Sequence, residues 1–233
     1  MILAIDTSLG SAVAVVDLEG VVRSEASSPN ALGHAEIIGT LIERALAEAS
    51  ATPASITHVA AGMGPGPFTG LRIGIAAARA FALGRAVPVI AVASHDAAAL
   101  QEFDSLDVPD GADAPAGADP GHPSTPFAIV TDARRREFAY TVFAGLDPDG
   151  LPVRPAPAAL APRDELDARL VEQGGPLGAP RRVDVTSISA AALGRVAARM
   201  LAAGIADEGA TAEPLYLRSP DVTLGHAPKR VGV

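Results

Sequence analysis

Residues 56–83 read ITHVAAGMGPGPFTGLRIGIAAARAFAL, and this stretch decides the fold. Ile56 to Ala61 reads as a short strand, Gly62 to Thr69 as a Gly/Pro loop, and Gly70 to Leu83 as a helix with Thr69 available as its N-cap. Val87 to Ala93 follows as a buried-type strand. Upstream, Ile37, Ile38, Leu41, Ile42, Ala45, Leu46 and Ala49 recur at helical spacing and predict an amphipathic helix from about Gly33 to Ser50. Before it, Ile2 to Asp6, Ala12 to Val16 and Val21 to Glu25 alternate with tight turns as a three-strand meander. The order βββαβαβ predicts a mixed sheet with helices packed on it, an α/β lobe.

Beyond residue 101 the character changes. Glu102, Asp104, Asp107, Asp110, Asp113 and Asp119 stand among Ala, Gly and Pro, with no Lys or Arg up to Pro126. That composition predicts a flexible acidic loop, 102–126, between an N-terminal lobe, 1–101, and a C-terminal lobe, 127–233. In the second lobe, strands are expected at Phe127–Asp132 and Glu137–Phe143, on either side of Ala133-Arg134-Arg135-Arg136, followed by a turn at Asp147–Gly150. Pro162 opens a short helix to Leu170, Arg182–Val185 is a brief strand, and Ser187 or Ser189 caps a helix ending near Ala203. Pro214 to Arg218 is strand-like, and this last segment is free to pack back on the first lobe.

With 233 residues, 48% of them hydrophobic and 19% charged, the chain is long enough to bury a core and too apolar for a disordered class. It has no Cys, which excludes disulfides, thiolate metal sites and thiol nucleophiles. No secretory signal pattern opens the sequence and no apolar run approaches the roughly 20 residues of a membrane helix, so no membrane contact and a cytoplasmic location are expected. A formal net charge of -9 argues against a large RNA contact unless a partner supplies positive charge, although Arg134–Arg136 leaves room for a small one.

The Gly-rich loop invites a test against phosphate-binding mechanics. Gly70 is followed by Leu71 and Arg72 instead of the Lys and Ser/Thr of a P-loop, and Gly62–Pro67 does not give G-x-G-x-x-G. Pro65 and Pro67 also lack N–H donors, so a rigid elbow is favoured over an anion cradle. If a residual nucleotide site exists, its residues are Asp6, Thr7, Gly64 and Gly66, because a strand-end carboxylate is where a cation or water is held at a phosphate. The His residues are scattered with no H-x-x-x-H, and Ser94 and His95, being adjacent, point in different directions. No metal, no cofactor and no catalytic residue are therefore expected.

The helix after the loop carries the strongest physical signal. From Leu71 to Leu83 its only polar side chains are Arg72 and Arg79, and the rest of its circumference is apolar. One helix lying on a sheet keeps a face toward water, so an all-round apolar helix favours a covering protein, a partner or a second copy of the chain, over burial within the chain itself.

The segments Ile2–Ser8, Gly64–Gly74, Asp132–Glu137 and Pro214–Arg218 together closely resemble the bacterial TsaB (YeaZ) family across the whole chain. The most specific element is Gly64-Pro65-Gly66-Pro67-Phe68-Thr69-Gly70-Leu71-Arg72-Ile73-Gly74, where the family has Ser in place of Pro67. The resemblance implies a two-lobed actin-like, Hsp70-like (ribonuclease H-like) ATPase fold that has lost its enzymatic competence. It implies a scaffold that pairs with a catalytic TsaD-like subunit and a TsaE-like ATPase to make N6-threonylcarbamoyladenosine beside the anticodon of tRNAs reading A-starting codons. Under the same resemblance the partner interface falls on the two helices, at His34, Ile38, Leu41, Leu71, Arg72, Ile75, Ala78, Arg79 and Ala82, with self-pairing as the option when the chain is alone and tRNA met only indirectly. TsaD relatives hold a metal with a His pair on the first of these helices, where this chain has only His34. The alternative is a kinase- or phosphatase-like enzyme of the same fold using Asp6, Thr7 and the Gly loop.

Overall fold

A computed structural model of the chain describes residues 1–28, 33–106, 126–174, 179–206 and 213–218. The chain opens with β1 (Ile2–Asp6), β2 (Ser11–Val16) and β3 (Val22–Ser28), followed by α1 (His34–Glu48). A 3-10 turn at Pro53–Ser55 leads to β4 (His58–Gly62), α2 (Phe68–Arg85), β5 (Val89–Val92) and α3 (Ser94–Leu106). The second half contains β6 (Phe127–Asp132), β7 (Glu137–Phe143), the short pair β8 (Gly145–Leu146) and β9 (Pro152–Val153), and β10 (Ala159–Pro162). It continues with α4 (Leu166–Gly174), β11 (Arg181–Asp184) and α5 (Ala190–Ala202).

Five strands form the first sheet in the order β3-β2-β1-β4-β5, antiparallel from β3 to β1 and parallel from β1 to β5. The second sheet runs β10-β7-β6-β11, with β11 parallel to β6. Alternation along each strand sorts its side chains between two cores. Leu3, Ile5, Val13, Val15, Val59 and Ala61 face α1 and α2, where Ile38, Leu41, Leu71, Ile75 and Ala78 meet them. Ile2, Ala4, Ala14, Val16, Ala60 and Ile90 face the other way, into a core built with α3, α5 and Phe127, Ile129 and Phe143 of the second sheet. Ala128, Val130, Tyr140 and Val142 point to the outer face of that sheet, against Leu166 and Leu170 of α4. The order of layers is therefore α1/α2, first sheet, α3/α5, second sheet, α4.

Helix α5 comes from the second half of the sequence and lies on β1 and β2 of the first. Gly194 makes this close approach feasible, since a Cβ there would stand 2.6 Å from a Val16 methyl. Its N-terminus is fixed from both sides. Ser189 accepts the Ala192 N–H at 3.0 Å, and Glu25 of β3 accepts from the Ser189 hydroxyl and the Ala191 N–H at 3.0 and 3.1 Å.

Several expectations need correction. Thr69 is not an N-cap: α2 begins at Phe68, with Pro67 at the cap position and no side-chain cap bond. The acidic stretch is helical to Leu106, where Glu102 pairs with Arg181 at 2.5 Å and Asp104 with Arg195, so cations distant in sequence satisfy it. The rest of that loop, 107–125, lies outside the described residues. Pro162 closes β10 instead of opening a helix, and α4 starts at Leu166. Pro214–Arg218 is not a strand but an irregular segment tied to the first lobe, with the Leu215 N–H donating to the Met63 carbonyl at 2.7 Å.

Candidate functional site

At the C-terminal end of β1, Asp6 is buried and both of its oxygens are engaged. Oδ1 accepts the Ser8 N–H at 2.8 Å and the Ser8 hydroxyl at 2.5 Å, while Oδ2 accepts the Ser94 hydroxyl at 2.5 Å. Ser94 in turn accepts the Gly64 N–H at 3.1 Å and donates its own N–H to the Gly64 carbonyl at 2.7 Å. Burial pushes the Asp6 carboxyl up, against the hydrogen bonds from Ser8 and Ser94. Thr7 works in the same way on α2. Its hydroxyl donates to the Gly70 carbonyl at 2.7 Å and accepts the Gly74 N–H at 3.1 Å, the two groups that a regular helix would pair with each other.

The glycines leave no room for a side chain because Asp6, Thr7 and Ser8 press on them. A Cβ at Gly62 or Gly74 would overlap the Asp6 carboxylate or the Thr7 hydroxyl, and one at Gly66 would come within 2.8 Å of Ser8. Asp6, Thr7 and Gly64 thus join in a buried strand-loop-helix elbow, and of the four residues proposed for a nucleotide only Gly66 reaches an open surface.

That surface is a cleft of about 820 Å³ between the lobes. Ser8 to Gly10, the N-terminal turns of α1 and α2, and Pro65 to Gly70 line it from the first sheet's side, Thr131, Asp132, Arg134, Arg135 and Thr186 from the second's, and Tyr216 to Arg218 line it as well. His34 stands on the first sheet's side with its Nδ1 2.7 Å from the Ser11 hydroxyl. One helical turn on is the buried Ile38, and among the described residues no group of three His, Asp or Glu gathers as a metal site. The residues present do not fit the His-pair metal of TsaD relatives.

The β6–β7 turn on the second sheet's side is unusual. Arg134, Arg135 and Arg136 all have left-handed backbone conformations, with φ of 62, 50 and 64°. For a residue with a Cβ that conformation costs roughly 1–2 kcal/mol. Asp132 holds the turn by accepting the Arg134 N–H and an Arg163 guanidinium N–H, each at 2.8 Å. The backbone bond from Arg134 and the Arg163 guanidinium keep its carboxyl below the usual range. Asp6 and Asp132 therefore end their strands in opposite states, one buried in the fold and one exposed on the rim.

Sequence reasoning missed the joint between the lobes. His95 is buried with Nδ1 2.8 Å from the Thr141 hydroxyl and Nε2 3.0 Å from that of Thr131, so a residue of the first lobe is pinned by two strands of the second. Desolvation, aided by Arg154, pushes its pKa down to about 3. Beside it Asp96, 3.4 Å from Arg154, is pushed up to about 6 by burial. Both hydroxyl partners lie on strands far along the sequence, and no local pattern announces them.

The residues expected at a partner interface divide between inside and outside. His34, Ile38, Leu41, Leu71, Ile75, Ala78 and Ala82 are buried in the chain's own core, because they are the inward faces of α1 and α2. Arg79 is half-buried, and Arg72 is exposed with its guanidinium over the Phe68 ring at 3.8 Å and its Nε–H donating to Tyr216 Oη at 3.1 Å. The outward stripe of α2 runs instead through Ile73, Ala76, Ala80 and Leu83, with Leu83 84% exposed. Apart from the exposed Arg72 on the same face, these residues are apolar, and they lie one position along from the buried ones named in the expectation.

A family model described as TsaD, tRNA N6-adenosine threonylcarbamoyltransferase, matches residues 17–144. An uncharacterised protein of Mycobacterium tuberculosis is 35% identical over 228 residues, spanning 94% of this chain and 92% of its own. A tRNA N6-adenosine threonylcarbamoyltransferase of Streptococcus pneumoniae is 38% identical over 122 residues, 46% of this chain and 36% of that one. Among solved structures, YeaZ from Pseudomonas aeruginosa has a TM-score of 0.71 at 22% identity, over 93% of this chain and 99% of that chain. The fold is the mixed-sheet α/β arrangement that these proteins share.

Proposed function

The chain belongs to the TsaD family, that of tRNA N6-adenosine threonylcarbamoyltransferase, and from that membership we propose that it is a non-catalytic subunit which docks on a TsaD-like catalytic protein through the outer face of α2. The broader assignment, a protein of tRNA N6-threonylcarbamoyladenosine synthesis, follows from the family and the YeaZ fold. One observation carries the finer reading: the helix beside the cleft exposes Ala76, Ala80 and Leu83, with the half-buried Ile73 beside them and Arg72 as the exposed charge on the same face. Burying a row of small residues lets a second helix approach closely, and Leu83 supplies a large side chain at its end.

The elbow supports the non-catalytic part. A carboxylate whose two oxygens are bonded to Ser8 and Ser94 is not aimed at a nucleotide, and filling its place with a metal would break those bonds. A TsaE-like ATPase completes the proposed assembly, self-association through the same stripe is its competitor when the chain is alone, and tRNA is held chiefly by the catalytic partner.

Size-exclusion of the host's TsaD-like protein mixed with this chain tests the reading. Wild type elutes as a complex, and the Ala76→Glu/Ala80→Glu double variant, exposed at both positions and so still folded, elutes apart. Co-elution of that variant with the partner contradicts the assigned face. Titration calorimetry with ATP and Mg²⁺ addresses the enzymatic alternative, for which no binding heat at millimolar nucleotide is expected.

A further inference from the structure

The proposed docking face carries a charge whose pose is set by the fold. Arg72 stands one helical turn before Ala76 on α2, and positions 72, 76, 80 and 83 fall on a single stripe of the helix, all four exposed. The guanidinium is not left to sweep through solvent. It lies over the Phe68 ring at 3.8 Å, its Nε–H donates to Tyr216 Oη at 3.1 Å, and the Phe68 and Tyr216 rings meet with centroids 4.8 Å apart. Tyr216 is itself fixed, because the segment that carries it is tied to both lobes. The Leu215 N–H donates to the Met63 carbonyl at 2.7 Å, and Arg218 pairs with Glu137 of β7. A residue 144 positions away in sequence thus poses a side chain of α2.

The fork of this guanidinium stays open. Its Nε is spent on Tyr216, while the described residues offer no carboxylate to Arg72 and no hydrogen-bond partner to its terminal nitrogens. Arg85, at the other end of α2, shows the contrast. Its Nε–H and an Nη N–H donate to the Pro53 and Ala54 carbonyls at 2.7 and 3.2 Å, so that guanidinium is anchored on the chain's own backbone. Whatever covers the stripe must answer the open charge. A partner packed closely on Ala76 and Ala80 takes Arg72 out of water, and a buried guanidinium without a counter-charge is strongly unfavourable. A carboxylate matches its paired N–H groups in one plane. A ring-held Arg also loses little freedom on binding, which is the setting of an interface anchor.

We propose that Arg72, posed by Phe68 and Tyr216, is the anchor of the docking face and takes an Asp or Glu carboxylate of the catalytic partner as a two-pronged ion pair. The inference rests on the docking proposed above and adds the chemistry of the partner's surface: small or apolar where it crosses Ala76, Ala80 and Leu83, acidic where it meets Arg72. The segment Pro214–Arg218 belongs to the interface as the support of that anchor.

The sequence offers a direct test, because its single lysine is Lys229. In the Arg72→Lys/Lys229→Arg variant the introduced amine is the chain's one side-chain amine. A carbodiimide, which joins an amine to a carboxylate in contact with it, should link this variant to the TsaD-like partner at an Asp or Glu located by mass spectrometry. Interferometry of the same pair at low and high salt gives the affinities. Arg72→Gln should weaken binding at least about thirtyfold at low salt and remove most of the salt dependence. Tyr216→Phe, which keeps the ring and loses the acceptor, should weaken it about two- to tenfold and add nothing further in the Arg72→Gln background. Melting temperatures should change little, since Arg72 is exposed. Equal affinities for wild type and Arg72→Gln, or no partner adduct beyond that of Lys229→Arg alone, overturn the proposal and leave the docking reading standing where Ala76→Glu/Ala80→Glu still fails to bind. Wild type that forms no complex, or an Ala76→Glu/Ala80→Glu variant that does, brings down the docking reading and this inference with it. Adducts between two copies of the chain with none to the partner would make Arg72 a self-contact and likewise overturn it.

Discussion

Thr7 and Gly74 show how one residue sets the position of a helix. The Thr7 hydroxyl takes the Gly70 carbonyl and the Gly74 N–H, and a Cβ at Gly74 would occupy its space. Gly74→Ala should cost about 1–3 kcal/mol in denaturant melts, as overpacking in a close-packed core does. Combined with Thr7→Ala, which vacates the space, the two changes should cost less than their sum by at least about 0.5 kcal/mol. His95 and Asp96 make a second residue-level prediction, in pH. His95 titrates at about 3 in the fold and near 6.5 unfolded, so its contribution is lost as pH falls from 6.5 toward 3. Asp96 titrates at about 6 in the fold and 3.8 unfolded, so between those values lowering the pH favours the fold. The slopes oppose each other, and stability from these two groups is nearly flat from about pH 4 to 6. Asp96→Asn removes one of them, so its stability should fall by about 1.4 kcal/mol per pH unit as pH drops from 6 to 4, measured against wild type by urea melts.

At the scale of elements, α5 depends on its cap. Ser189→Ala removes the acceptor for the Ala192 N–H and a donor to Glu25, and should lower stability by about 1 kcal/mol, while Ser187→Ala, two residues earlier, should be neutral. The same helix shows what the sequence makes legible and what it hides. Its cap, its periodicity and its end near Ala203 follow from local chemistry, as do the β1–β3 meander and the β6–β7 hairpin. Its resting place on β1 and β2 does not, because helix position depends on long-range packing against Val16 and Ala4. For α2 the composition predicts cover on more than one side, yet a helix apolar nearly all round has no polar face to fix its rotation. That is why Ile75 and Ala78 read as partner-facing although they are buried in the chain's own core, while Ala76 and Ala80 are the exposed residues. At the elbow, Asp6, Thr7 and the glycines stand out in the sequence, whereas Ser94, the group that occupies the Asp6 carboxylate, is 88 residues away.

For the molecule as a whole, two sheets share one central layer of helices, and polar ties cross between the lobes. His95 joins α3 to β6 and β7, Arg181 reaches Glu102, and Tyr216 to Arg218 run from the α2 ring stack to Glu137. On its surface this body leaves the outer face of α2, with Ala76, Ala80 and Leu83 exposed. That face is the one proposed for a catalytic partner. The most direct test is tRNA threonylcarbamoylation by the host's TsaD-like and TsaE-like proteins, supplied with the threonylcarbamoyl adenylate, without this chain, with wild type, and with Ala76→Glu/Ala80→Glu. Modification restored by wild type and absent both without the chain and with the variant is the predicted result; full modification in the chain's absence, or equal rescue by the variant, would contradict the account.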